Sequence, residues 1–558
     1  MMSEKATIDQ LAADYWQALV LREPYYALMA GERVERFPSG SLAGAEAAAD
    51  TARTLLARLD AIDLSNLDRG DSLTAEFLRY MLESDTSEPD RWWTSFGIAP
   101  YSASGLSMMP SMLFAPIDVT KPEEAQRYLQ LVADFAGAID ALREKTEAQA
   151  ERGWRLPKPA LPGARITLES IGAAATASLA LSTERTKDEA LRADVDRLIE
   201  EKLKPAFTGL LAAIGEDYEA VAPEEVGICH QPGGADAYRD WLRYHLSFDA
   251  SPEEIHEIGK AEVEHLTAAM AKLRLDAFGH NGDEAAFHER LRQDPRAKAE
   301  SPEALEAIYR RHLERMAPVF ARIVRKAPQA SATVKRLAPE MEAGMTFGYY
   351  APPSGSERQG IYHYSGNGIP DRLQMNAAPL IFHELVPGHH VHITRQAENE
   401  ALPDVRRRTF IFGAFNEGWA EYSAGLGEEA GLYDDPYDLY GWLSHQRFVA
   451  QRLVVDTGLN FYGWSLQKAR DYMSANTLES ETQVASETLR YATDMPGQAL
   501  GYRMGFLKFR ELREKARARL GESFDLADFH EAILEQGALP IELLEKSLDD
   551  WASERLRA

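Results

Sequence analysis

Residues 379–392 read PLIFHELVPGHHVH and hold four of the chain's 14 histidines: His383, His389, His390 and His392. An apolar run leads into His383-Glu384, and Pro387-Gly388 precedes the His389-His390 pair. A zinc hydrolase needs neutral imidazoles converging on the ion, and a carboxylate that takes a proton from water without binding metal. In the usual helical arrangement, HExxH, the two histidines lie one turn apart. Here Pro387 stands where the second histidine would be. His389 follows six residues after His383, which on a straight helix carries it round the cylinder. His390, at seven, returns to the same face about 10.5 Å along the axis. Proline removes a helical hydrogen bond and glycine relaxes the backbone. A bulged or kinked helix would bring one of the pair back to the metal.

Downstream, Thr409–Tyr422 reads TFIFGAFNEGWAEY, an apolar helix interrupted by Glu417 and Glu421. Glu417 lies 34 residues after His383, enough for one helix to end and another to pack against it. It is a candidate third zinc ligand. Glu421, four residues on, shares its face and is placed to accept a hydrogen bond from a ligand imidazole. Two acids on a solvated face are the alternative, but Phe410, Phe412, Phe415 and Trp419 argue against a wholly solvated helix, and buried carboxylates need partners. A third segment, Glu487–Gly505 (ETLRYATDMPGQALGYRMG), reads as a helix end and a helix start around Asp494-Met495-Pro496-Gly497. Arg490, Tyr491, Gln498, Tyr502 and Arg503 cluster there. Such residues serve as oxyanion donors and carboxylate grips, and equally as braces of a helix junction.

Most of the remaining chain is patterned as helix. Ala125–Arg152, Thr186–Gly215, Pro252–Leu275, Pro302–Lys326 and Phe506–Leu520 carry apolar residues at spacings of three and four. Ser251-Pro252 and Ser301-Pro302, each followed by acids, are helix starts. Two tyrosine-rich stretches, Met345–Tyr350 and Gly360–Ser365, flank a turn-like APPSGSERQ and predict a small hairpin, read first as an ordinary hairpin and alternatively, with Gly360–Ser365 as an edge strand, as a holder of an extended peptide. The Pro/Gly-rich Gly153–Gly163 is the best linker candidate and would set off an N-terminal helical subregion over 1–160.

With 558 residues, 45% hydrophobic and 27% charged, the chain is long enough for a large core. One cysteine, Cys229, excludes a disulfide framework. Its neighbour His230 reads as unrelated to it, His363 as structural or surface, and Trp442, Phe448, Phe461, Tyr462 and Trp464 as core. A net charge of −27 disfavours nucleic acid and anionic lipid as partners. The N-terminal MMSEKATIDQLAADYWQ does not read as a signal peptide, and no run reaches the roughly 18 apolar residues of a membrane span. A cytoplasmic protein is expected, its oligomeric state open, with a homodimer among the alternatives.

The HELVPGHH, NEGWAEY and RYATDMPGQALGYRMG segments together resemble the family called domain of unknown function 885. MAGERVERFP, DWLRYHLSFDASPEEIHEIGKAEV, YYAPPSGSERQGIY and RLVVDTGLNFYGW extend the likeness over nearly the whole chain. The resemblance implies a gluzincin-type metallopeptidase similar in fold to the M32 carboxypeptidases. That fold is mainly α: one helical body over 1–558 with a deep cleft, a small hairpin beside the zinc-site helix, and a zinc-site core at about 340–510. It also implies roles. His383, His389 and Glu417 would hold Zn2+, with His390 the alternative to His389 or else a neighbour outside the ligand set. Glu384 would be the general base and Glu421 the acid behind an imidazole. Tyr502 would stabilise the oxyanion, while Arg490, Tyr491 and Arg503 would bind substrate. The family usually has histidine where this chain has Asn460, a departure that would bear on specificity if that histidine binds substrate elsewhere in the family. The expected activity is zinc-dependent hydrolysis of short peptides, carboxypeptidase- or oligopeptidase-like. The alternatives are hydrolysis of small non-peptide amides and a catalytically silent binding protein.

Overall fold

The structure is a computed structural model, and it describes residues 4–338, 342, 348–355, 357–369 and 372–557. It is 71% helix with a small three-stranded sheet. The chain divides into two compact units: Met1–Trp241 with Gly458–Ala469 and Ala485–Pro496, and Leu242–Thr457 with Arg470–Val484 and Gly497–Ala558.

The first unit is built from amphipathic helices that start and stop on local signals. Pro122–Glu151 opens with proline and two acids and buries Tyr128, Leu131, Val132, Phe135 and Ile139 along one stripe. The stretch expected as one helix over Thr186–Gly215 is Glu189–Leu198, a π-turn over Ile199–Leu203, and Lys204–Ala213. Pro205 cannot donate to the preceding turn, and the widened turn falls just before it. Residues 153–163 lie inside this unit. Trp154 Nε1 donates to Pro232 O at 3.0 Å, and Tyr218 Oη accepts from Leu156 N at 2.7 Å.

The second unit carries the histidine and glutamate motifs. Its Pro252–Phe278 helix begins with a reciprocal cap between Ser251 and Glu254 and ends at Gly279 in the left-handed region, φ +61°. Three strands follow the Pro302–Ile323 helix: β1 (Ala332–Arg336), β2 (Gly348–Ala351) and β3 (Gly360–Tyr364). Their order is β1-β3-β2, with β2 antiparallel and β1 parallel to β3. The expected hairpin is therefore β2–β3, although 345–347 lie outside the described residues. The expectation that Gly360–Ser365 forms an edge is corrected: β3 is the central strand. ATVKR, too short and polar to read as a strand, covers its other side. Val334, Tyr362 and Tyr364 pack with Leu305 and Tyr309 of the preceding helix and with Ala377, Ile381 and Leu385 of the first histidine segment. The sheet thus backs the site.

Candidate metal centre

The motif around His383 is not one kinked helix but two. The first histidine helix, Ala377–Glu384, stops at Leu385, and the second, His389–Glu398, begins after the cis Val386-Pro387 bond and Gly388. The reversal is tight enough that a Cβ at Gly388 would meet His383 O at 1.8 Å. Pro387 O, which no helix can use, accepts from Trp419 Nε1 at 3.0 Å and Ser423 Oγ at 3.3 Å. Both donors belong to the glutamate helix, Gly413–Glu429. That helix crosses Leu500–Leu520 at backbone distance: a Cβ at Gly418 would lie 2.5 Å from Gly505 Cα. The crossing places Glu417 and Tyr502 beside the histidines.

His383 Nε2 and His389 Nε2 each lie 3.4 Å from Glu417 Oε2, and the three ligand atoms all fall within 4.8 Å of one another. Ligands bound at about 2.0–2.1 Å in a tetrahedron stand about 3.3–3.4 Å apart. The two spacings to Glu417 are too long for a good hydrogen bond and match donors round one ion, and two imidazoles with a carboxylate are a donor set that fits zinc. His389 Nδ1 shares a 3.0 Å hydrogen bond with His392 Nε2, which orients its ring. His392 is held largely neutral, first by burial and then by the neighbouring imidazoles.

His390 points elsewhere. Its Nε2 donates to Ala330 O at 2.9 Å, leaving Nδ1 to accept from Tyr350 Oη at 3.0 Å. Both nitrogens are used. Gly360 makes room for this ring, since a Cβ there would lie 2.2 Å from His390 Nδ1.

Glu421 is wholly buried. Its Oε1 lies 3.1 Å from His383 Nδ1, out of line for a full hydrogen bond, and accepts from His445 Nε2 at 2.8 Å. Gln446 Nε2 donates to Oε2 at 2.9 Å. Burial raises the cost of each charge here, yet the imidazoles outweigh it. Glu417 and Glu421 are held well below the usual carboxylate range, and the two glutamates raise His383 well above its ordinary value. Glu384 is shifted the other way: burial pushes its carboxyl up against the opposing pull of His383 and His389. Tyr502 stacks on His383, ring centroids 6.3 Å apart and planes 9° from parallel, and the Arg452 guanidinium lies 4.7 Å over the tyrosine ring.

Arg503 is buried and engaged, donating to Gln446 Oε1 and to Glu262. Arg490 and Tyr491 belong to the first unit, where the arginine pairs with Glu487 at 3.0 Å and the phenol donates to the same carboxylate. Asn460 is also in that unit. It is fully buried, donating to Tyr491 O at 2.9 Å and accepting from Ile228 N at 3.1 Å, so it ties backbone segments together. The Cys229 thiol, pushed up by burial, donates to Leu459 O at 3.3 Å. His363 stacks on Tyr349. His445 and Gln446 escaped the sequence reading, standing on a separate helix, Pro436–Asn460, with no metal-motif spacing. For His392, proximity to His389 at a three-residue helical offset was the signal.

A family model described as "Bacterial protein of unknown function (DUF885)" matches residues 24–548. Among solved structures, the chain is similar to a "putative lipoprotein from Colwellia psychrerythraea": 27% identity and a TM-score of 0.85 over 99% of this chain and 100% of that one. It shares its fold with a "putative lipoprotein of unknown function from Shewanella oneidensis", 16% identical with a TM-score of 0.75, covering 98% and 99% of the two chains. No curated protein matches. No helix among the described residues is long and apolar enough to cross a membrane.

Proposed function

The chain belongs to the DUF885 family of bacterial proteins of unknown function, and within it we propose a zinc-dependent peptidase acting on short peptides. The observation that carries this reading is the convergence of His383, His389 and Glu417, whose ligand atoms lie within 4.8 Å of one another, beside a glutamate, Glu384, that is not one of the three. A zinc ion held by these residues would supply Lewis acidity to the scissile carbonyl and to the attacking water. Glu384 takes the water's proton and later delivers it to the leaving amine. Tyr502, lying on His383, is the donor assigned to the oxyanion. The proposal includes membership of the gluzincin-type metallopeptidases, an M32-like arrangement of helices around a cleft, and a cytoplasmic site of action. Cell fractionation checks the last against the lipoprotein descriptions of the two similar structures.

The commitments of Arg503 to Gln446 and Glu262, and of Arg490 to Glu487, favour an oligopeptidase over an enzyme that grips the terminal carboxylate with either arginine. Glu384 weighs against a silent binding protein, because a site that only holds metal has no use for an acid that neither joins the three proposed ligands nor, as Glu421 does, stands behind one of their imidazoles. Hydrolysis of small amides would use the same groups, and a peptide library read by mass spectrometry separates the two. The decisive variant is Glu384→Gln, which keeps size and loses the base. Zinc should stay bound while turnover falls by orders of magnitude. Near-normal turnover would sink this mechanism.

A further inference from the structure

A buried carboxylate is stable only when both oxygens are served by donors. Glu421 meets this with His445 on Oε1 and Gln446 on Oε2. The glutamine is the weak point of that arrangement. Its amide has a donor end and an acceptor end, and turned over it would set a carbonyl oxygen against the carboxylate. Arg503 prevents this. A guanidinium only donates, so it admits only the oxygen end of Gln446, and the NH2 must face Glu421. Glu262, partly exposed, takes the guanidinium's second terminal nitrogen and balances its charge. The four residues stand on the Pro252–Phe278, Gly413–Glu429, Pro436–Asn460 and Leu500–Leu520 helices, so the chain of contacts also joins four elements round His383.

We propose that Arg503 and Gln446 are positioning residues for the metal centre: Arg503 fixes the Gln446 amide, and Gln446 with His445 fixes the Glu421 carboxylate beside His383 Nδ1. Neither residue touches substrate. The inference rests on the zinc reading of the site, and it gives Arg503 work inside the protein in place of a substrate carboxylate. A rival role is plain bracing of the four helices. Bracing predicts that removing either residue lowers stability and leaves zinc affinity alone. Positioning predicts a loss of zinc affinity, because an imidazole whose partner carboxylate is unfixed is a poorer ligand.

The test uses the full chain, with zinc affinity read by competition against a chromophoric chelator and melting followed on metal-free protein. Gln446→Met and Arg503→Met should each weaken zinc binding about 10–100-fold. The double variant should be no more than about threefold weaker than the weaker single one, because the two act along one path. Arg503→Lys, which keeps a donor for Gln446 Oε1, should recover most of the loss. If Arg503→Met does not fold, Gln446→Met and Arg503→Lys decide the matter. Wild-type affinity in Gln446→Met, or losses that multiply in the double variant, would overturn the inference and leave the zinc site standing. A wild-type chain that takes up no zinc would overturn both.

Discussion

Replacing Gly418 with alanine puts a methyl group where the glutamate helix has no space. The new Cβ would stand 2.5 Å from Gly505 Cα and 2.6 Å from Gly505 C. Carbon atoms in contact sit at about 3.5–4.0 Å, so the two helices must part by about 1 Å or more. Neither neighbour is a side chain that can swing aside; both are backbone atoms of the Leu500–Leu520 helix. Strain of this kind costs about 1–3 kcal/mol. The functional cost should be larger, because Glu417 is the adjacent residue and a metal site tolerates displacements of only about 0.2 Å. Chelator competition should show zinc bound at least about tenfold more weakly, and calorimetry a lower melting temperature. Zinc affinity within about twofold of wild type would refute the claim that this crossing sets the position of Glu417. A lowered melting temperature with unchanged affinity would show that the strain is absorbed elsewhere.

The two adjacent histidines should separate cleanly: His389→Ala should abolish zinc binding, while His390→Ala should keep the metal and lose stability, since it removes the imidazole partner of Ala330 O and leaves Tyr350 Oη only its longer contact with Thr394 Oγ1. Equal zinc retention in the two variants would misplace the second ligand. Buried His530, lowered to about 4 chiefly by burial, should make stability fall with acid. The unfolded chain binds this proton below about 6.5 and the folded one only near 4, so the contribution is complete above pH 6.5 and lost as the pH falls towards 4. At pH 5 the loss is about 2 kcal/mol. Urea midpoints of wild type and His530→Gln at pH 7 and 5 check this, and equal pH dependence would count against it. For substrate choice, free-acid and C-terminally amidated versions of a good short peptide should be cleaved with kcat/KM within about threefold of each other. A tenfold or greater preference for the free acid would restore a carboxylate-gripping arginine.

The long helices were legible because each carries its own start signal and apolar stripe, as Ser251-Pro252 and Ser301-Pro302 do. So was the convergence of His383 and Glu417, since an acid in an apolar helix asks for a partner. Local pattern could not choose between His389 and His390. That choice depends on where the chain turns at 385–388, which Trp419 and Ser423 help to fix from another helix. The place of β3 in the sheet was hidden for a similar reason: only the parallel partner Ala332–Arg336 makes it central. Arg503 and Arg490 looked suited to substrate because a sequence shows a charge and not the carboxylate that meets it. Asn460 looked like a specificity residue and is a tie between backbone segments.

The break after Glu384 changes how such a site should be sought in other chains. When two ligands ride on one helix, any three residues can separate them and the helical pitch does the rest. For the proposed pair His383 and His389 a turn sets the interval, and the turn has its own demands: no Cβ at Gly388, and a donor from afar for Pro387 O. A useful signature is therefore written across both helices, as His-Glu, three residues, Gly-His, and later Glu-Gly-Trp with a second glutamate two residues on. A chain that keeps both histidines but carries a bulky residue before the second, or loses the tryptophan, should be counted as lacking the site.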